Sequence, residues 1–98
     1  MPGTSVLSDI RIADMTTVIF GPYCTQTLAD MGADVVKVEP PSGDDFRNVG
    51  KSAKNKHMGP CHMTINRGKR SVVWDMKSDE GQEAIRRLIE CSDVFIHN

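Results

Sequence analysis

Between Ile10 and Glu39 the sequence reads strand, tight connection, helix, tight connection, strand, and that order leaves little choice of fold. Ile10-Arg11-Ile12-Ala13-Asp14-Met15 alternates like a strand, with Val6 and Leu7 ahead of it. Thr16 to Phe20 connects it to Gly21-Pro22, a good helix start because proline in the first turn gives up no needed N–H. The helix is expected to run to about Met31, with Cys24, Leu28 and Met31 as its core stripe and Gly32 as its stop. Val35-Val36-Lys37-Val38 follows as a short β-branched strand. Strands joined across a helix run parallel, and the crossover is right-handed.

The same order returns later. Ser71 to Asp75 reads as a third strand, Ser78 as the N-cap of a second long helix with Asp79 and Glu80 in its first turn, and Val94-Phe95-Ile96 as a fourth strand. Ala84, Ile85, Leu88 and Ile89 form that helix's apolar face, leaving Arg86 and Arg87 exposed. The fold class is therefore α/β, a Rossmann-like parallel sheet built from βαβ units, in a single domain over residues 1–98. Between the two halves, from Glu39 to about Gly68, periodicity dissolves, which points to a functional or partly disordered loop.

Charge is uneven along the chain. Arg47 to Arg70 holds seven basic residues and no acid, while the other five basic residues face all 13 acids; the net charge is only −1. A basic loop (about 40–68) on an acidic body suits an anionic ligand, or else a solvated loop whose lysines serve solubility. The segment lacks interleaved aromatics, so nucleic acid is not an expected partner. No apolar run approaches the ~20 residues that a bilayer crossing takes, and no membrane partner is expected. Residues 1–9 lack the pattern of a signal peptide, and Cys24, Cys61 and Cys91 lie in separate segments, which fits reduced thiols and a cytoplasmic location.

Candidate chemistry lies at the strand ends. The connection from Thr16 to Pro22 leads into a helix N-terminus, whose unpaired N–H groups suit a phosphate. Glu39 closes the second strand where dinucleotide folds keep an acid for a ribose hydroxyl. G-x-G-x-x-G is absent, however, and locally Gly21-Pro22 reads as a helix start. His57, Cys61 and His62 cluster without a fourth ligand at a zinc-like spacing, so solvated histidines are expected and no metal site.

Three collinear blocks carry a resemblance. Gly21-Pro22-Tyr23-Cys24-Thr25-Gln26 with Leu28 through Pro41 forms the first. Gly43-Asp44-Asp45-Phe46-Arg47 and Asn66-Arg67-Gly68-Lys69-Arg70-Ser71 form the second. Asp75-Met76-Lys77-Ser78, Gly81 and Ser92 through Asn98 form the third. Together they resemble the opening of the family III CoA-transferases, relatives of formyl-CoA transferase, carnitine CoA-transferase and α-methylacyl-CoA racemase.

The resemblance implies coenzyme A as ligand and acyl-CoA as partner. It implies that Val18, Ile19 and Phe20 lie beside the thioester and pantetheine, that Glu39 and Pro40 lie near the adenine and ribose, and that Asn98 lines the same cleft. Arg47, Lys69 and Arg70 suit the phosphates electrostatically. Some members carry glutamine at the position of Ile19 and arginine at that of Pro40; this chain carries neither. The family's catalytic aspartate, which forms a mixed anhydride, matches no aspartate here, so the catalytic set is expected to be empty and the chain inactive alone, as an N-terminal portion of a longer enzyme. The alternative is a stand-alone CoA- or nucleotide-binding or interaction module. Family members form interlinked dimers, and exposed strand edges predict a homo-oligomer.

Overall fold

The structure is a computed structural model and describes residues 5–50 and 57–98. Lys51, Lys54 and Lys56, three of the basic residues noted above, lie outside the described residues. The elements in chain order are β1 (Arg11–Met15), α1 (Phe20–Asp30), β2 (Asp34–Glu39), a single 3-10 turn (Asp45–Asn48), α2 (Pro60–Ile65), β3 (Arg70–Val73), α3 (Asp79–Glu90) and β4 (Val94–His97).

All strands are parallel in the order β3-β2-β1-β4. Ile12 stands opposite Val35 on one side and Val94 on the other, and Val36 opposite Arg70. The chain therefore builds outward from β1 to β3, then crosses back and adds β4 on the other side of β1. Right-handed crossovers place α1 and α2 on one face of the sheet and α3 on the opposite one.

Burial follows from that layering. Both faces of β2 are covered, so Val35, Val36 and Val38 are all buried, and so are the charged Lys37 and Glu39. Ile12, Ala33 and Val35 form the core cluster, with Leu7, Ile10, Leu28, Ala29 and Ile96 packed against it. Gly32 ends α1 as expected: its φ of 103° suits glycine, and its N–H reaches the Ala29 carbonyl at 2.9 Å. The Ser78 hydroxyl accepts from the Gly81 N–H at 3.0 Å and caps α3, also as expected.

Two expectations are corrected. Cys24 and Met31 are exposed, and the stripe that α1 buries instead contains Pro22, Thr25 and Gln26. The reason is the polar underside of the sheet, where Thr25 meets Asp14. Among its described residues, the segment after β2 also contains two short elements, the 3-10 turn and α2, that its lack of periodicity does not suggest, while residues 51–56 of the expected loop lie outside the described residues. A 3-10 turn and a helix of six residues are too short to display a hydrophobic period.

Candidate functional site

The switch in strand order falls between β1 and β4, and in open α/β sheets the crevice beyond the carboxyl ends at that point is where ligands bind. Two backbone segments meet there. The Asn98 Nδ2 donates to the Thr17 carbonyl at 3.0 Å, and the Thr17 N–H donates to Asn98 Oδ1 at 3.1 Å. This reciprocal pair ties the end of β4 to the loop leaving β1.

Beyond Thr17 the loop projects outward. Val18 and Ile19 are about half exposed and Phe20 is 90% exposed. Val18 sits at φ 73°, a left-handed conformation unusual for a β-branched residue. No side chain caps α1; Pro22 carries no N–H and the Tyr23 N–H donates to the Ile19 carbonyl at 2.8 Å, which leaves the N–H groups of Phe20 and Gly21 as the first-turn donors for a ligand. Gly21 lets the helix approach this closely: a Cβ there would stand 2.4 Å from the Cβ of buried Thr16. Beside the bridge, Met15, Met76, Phe95, His97 and Asn98 line a largely apolar cavity of about 290 Å³.

Under the loop lies a buried polar layer that sequence reasoning missed. Asp14, fully buried, accepts from the Thr16 N–H (2.9 Å), the Thr16 hydroxyl, the Thr25 hydroxyl (2.6 Å) and Lys69 Nζ (2.9 Å). Burial pushes the Asp14 carboxyl up, but the two threonines and the Lys69 ammonium outweigh it and hold the carboxyl below its ordinary value. Lys37 stands opposite Asp14 in the sheet yet pairs elsewhere, with Asp44 at 2.8 Å and the Thr16 carbonyl at 3.0 Å. The signal was present in the sequence. A charged residue inside a strand buried on both faces must find a partner, and both Asp14 and Lys37 are such residues.

Glu39 and Arg47 are brought together with each other. Glu39 accepts from Arg47 Nε and Nη2, both at 2.7 Å, from the Asp44 N–H at 2.9 Å and from the Ser71 hydroxyl. Burial raises the Glu39 carboxyl, but these donors prevail and lower it to about 2. Pro40, next in the chain, is exposed at the carboxyl end of β2.

The other described basic residues of this stretch are matched in the same manner. Lys69 is committed to Asp14, while Arg67 pairs with Asp30 at 2.8 Å. Arg70 is drawn to Asp34 at 2.7 Å, at the amino edge of the sheet, away from the loop. The described cations at 47, 67, 69 and 70 thus each pair with an acid of the body.

His62 is buried against Asn66, with the Asn66 Nδ2 3.2 Å from its Nδ1, which corrects the expectation of a solvated side chain; His57 is exposed. Burial and the neighbouring Arg47 cation lower the His62 pKa. Among the described residues no group of three His, Cys, Asp or Glu could hold a metal ion, and no helix is long and apolar enough to cross a membrane.

The sequence signature described as CoA-transferase family III matches residues 7–98. The chain belongs to that family. Among family III relatives, the succinyl-CoA:mesaconate CoA-transferase of Haloarcula hispanica is 46% identical over 95 residues, an alignment covering 94% of this chain and 24% of the relative. The succinate–glutarate CoA-transferase of Agrobacterium fabrum is 46% identical over 98 residues, again covering 94% of this chain and 24% of the relative. A crystal structure of a CAIB/BAIF family protein from Brucella suis superposes with a TM-score of 0.89 at 38% identity, covering 96% of this chain and 26% of that one. The chain thus spans about a quarter of the length of these relatives.

Proposed function

We propose that this segment forms the coenzyme-binding part of a CoA-transferase, an enzyme that moves CoA between an acyl-CoA and a carboxylic acid. The carrying observation is the Thr17–Asn98 bridge at the strand-order switch, with the apolar Val18-Ile19-Phe20 loop projecting beside it. In this reading the pantetheine arm runs along the loop, where Phe20 and Ile19 offer apolar surface and the first turn of α1 offers free N–H groups. Pro40 lies at the rim of the same carboxyl edge, towards the adenine. Glu39, Arg47 and Lys69 act one step removed, by holding the loops in shape. Arg70 serves the amino edge.

We further infer that the carboxylate nucleophile required for acyl exchange is not Asp14. With four donors on its two oxygens, and fully buried, that carboxylate is neither free nor accessible. The exposed, unpaired thiols of Cys24, Cys61 and Cys91 agree with a cytoplasmic setting.

Titration calorimetry with coenzyme A, on the protein in its natural full-length form, tests the reading. Saturable heat with a micromolar Kd is expected, and Asn98→Ala should weaken binding about tenfold, the loss of one hydrogen-bonded anchor of the loop. Absence of heat at high micromolar coenzyme would remove the binding claim.

A further inference from the structure

We propose that Lys37 is a positioning residue for the coenzyme: its buried ammonium joins the loop after β2 to the loop after β1, so that a ligand seated on one sets the shape of the other. This rests on the coenzyme reading argued above, in which the adenine end lies towards Pro40 and the pantetheine arm along Val18 to Phe20.

A lysine in a strand ordinarily carries its charge out to water along a flexible stem. Lys37 does not, because both faces of β2 are covered, and its side chain is 2% exposed. Asp14 faces it across the sheet, but that carboxylate is taken by Thr16, Thr25 and Lys69. The ammonium reaches instead to the carboxyl end of the sheet, where it meets Asp44 Oδ2 at 2.8 Å and donates to the Thr16 carbonyl at 3.0 Å.

Each contact fixes one loop. Asp44 is buried and seats the loop after β2 at three points. Its N–H donates to Glu39 Oε1 at 2.9 Å, its Oδ1 accepts from the Phe46 N–H at 3.0 Å, and its Oδ2 meets the ammonium. Thr16 precedes Thr17, which Asn98 holds by its N–H and its carbonyl, and Val18 follows at φ 73°. The strained turn is thus held from two sides, by Asn98 from β4 and by Lys37 from β2. Moving Asp44 either drags the ammonium along or separates two buried charges, and separating a buried pair is strongly unfavourable. The Thr16 carbonyl, and with it the turn at Val18, follows the loop after β2, so binding energy at one loop is linked to the other.

Hydrogen exchange read by mass spectrometry on the natural full-length protein tests the link. The probe is adenosine 3′,5′-bisphosphate, which keeps the adenine end of the coenzyme and lacks the pantetheine arm. It is expected to slow exchange in residues 40–46 and also in residues 16–21, which it does not touch. In the paired variant Lys37→Met/Asp44→Asn, which removes both buried charges together, protection of 40–46 should remain and that of 16–21 should vanish. Calorimetry with coenzyme A should then show about tenfold weaker binding, the loss of one hydrogen-bonded anchor of the loop. Lys37→Met alone strands the Asp44 carboxylate and should lower the thermal midpoint. Adding Asp44→Asn should restore the midpoint and leave the affinity low, a split that a purely structural lysine would not give. If the bisphosphate protects only residues 40–46 in the natural sequence, or if affinity returns with the midpoint in the paired variant, the positioning role is overturned. The exchange measurement on the natural sequence decides the matter even where a variant fails to fold. If neither the bisphosphate nor coenzyme A binds, the coenzyme reading itself falls.

Discussion

Val18 holds a left-handed backbone at φ 73°, where a β-branched side chain costs about 1–3 kcal/mol. Thr17, one residue earlier, is clamped by Asn98 on both its N–H and its carbonyl, and the fully buried side chains of Thr16 and Asp14 lie below. The strain is thus imposed by fixed neighbours at the place where a ligand would lie. Val18→Gly should raise the thermal midpoint by relieving it and, by freeing the loop, should weaken coenzyme binding. Unchanged affinity in the stabilised variant would show that the conformation has no part in binding.

Glu39 supports a second prediction at this scale. Its side chain is 2% exposed and its pKa falls from the ordinary 4.5 to about 2, worth on the order of 3 kcal/mol when fully realised. The unfolded chain binds the proton first, so this stability is complete above about pH 4.5 and drains away as pH falls towards 2. Acid unfolding followed by circular dichroism should flatten in that window for Glu39→Gln, while Arg47→Met, which strands the carboxylate, should cost about 3–5 kcal/mol at neutral pH.

At the scale of elements, strands and long helices were legible in the sequence because each carries its own local signal. β2 is β-branched, α3 shows a clear apolar face with an N-cap, and Gly32 stops α1. The 3-10 turn and α2 were not legible, being too short to repeat a pattern. The buried face of α1 was misread because apolar spacing marks a core only where the opposing surface is apolar, and here Asp14 sits beneath Thr25. For the candidate site, the connection from Thr16 to Pro22 stood out as a strand running into a helix start, whereas Val18 to Phe20 and Asn98 were marked by the family resemblance alone. The partners of Arg47, Lys69 and Arg70 did not. Asp14 and Asp34 lie 55 and 36 residues away from the cations they hold, and such pairings exist only once the sheet register is set.

Among the described residues the sheet ends in two outer strands, β3 and β4, with no further strand beside either. Parallel sheets are stable when both faces and both edges are covered, yet β3 and β4 are outer strands on which Val73, Val94 and Phe95 are 58%, 45% and 41% exposed. On the face of α3, a groove of about 560 Å³ runs past Trp74, Ala84 and Leu88. Ion pairs on the outer side of α3, such as Arg86 with Glu83 and Glu90, keep that side soluble but add little stability. The unpaired N–H and C=O groups along β4 and its apolar side chains therefore favour pairing with another strand. A polypeptide of residues 1–98 should sediment as species heavier than its 10.8 kDa monomer mass. Val94→Lys, which puts a charge on the outer strand without disturbing its pairing to Ile12, should shift the distribution towards monomer. A clean monomer for the unaltered sequence would mean that these edges are not sticky, and the expectation of a homo-oligomer would lose its physical basis.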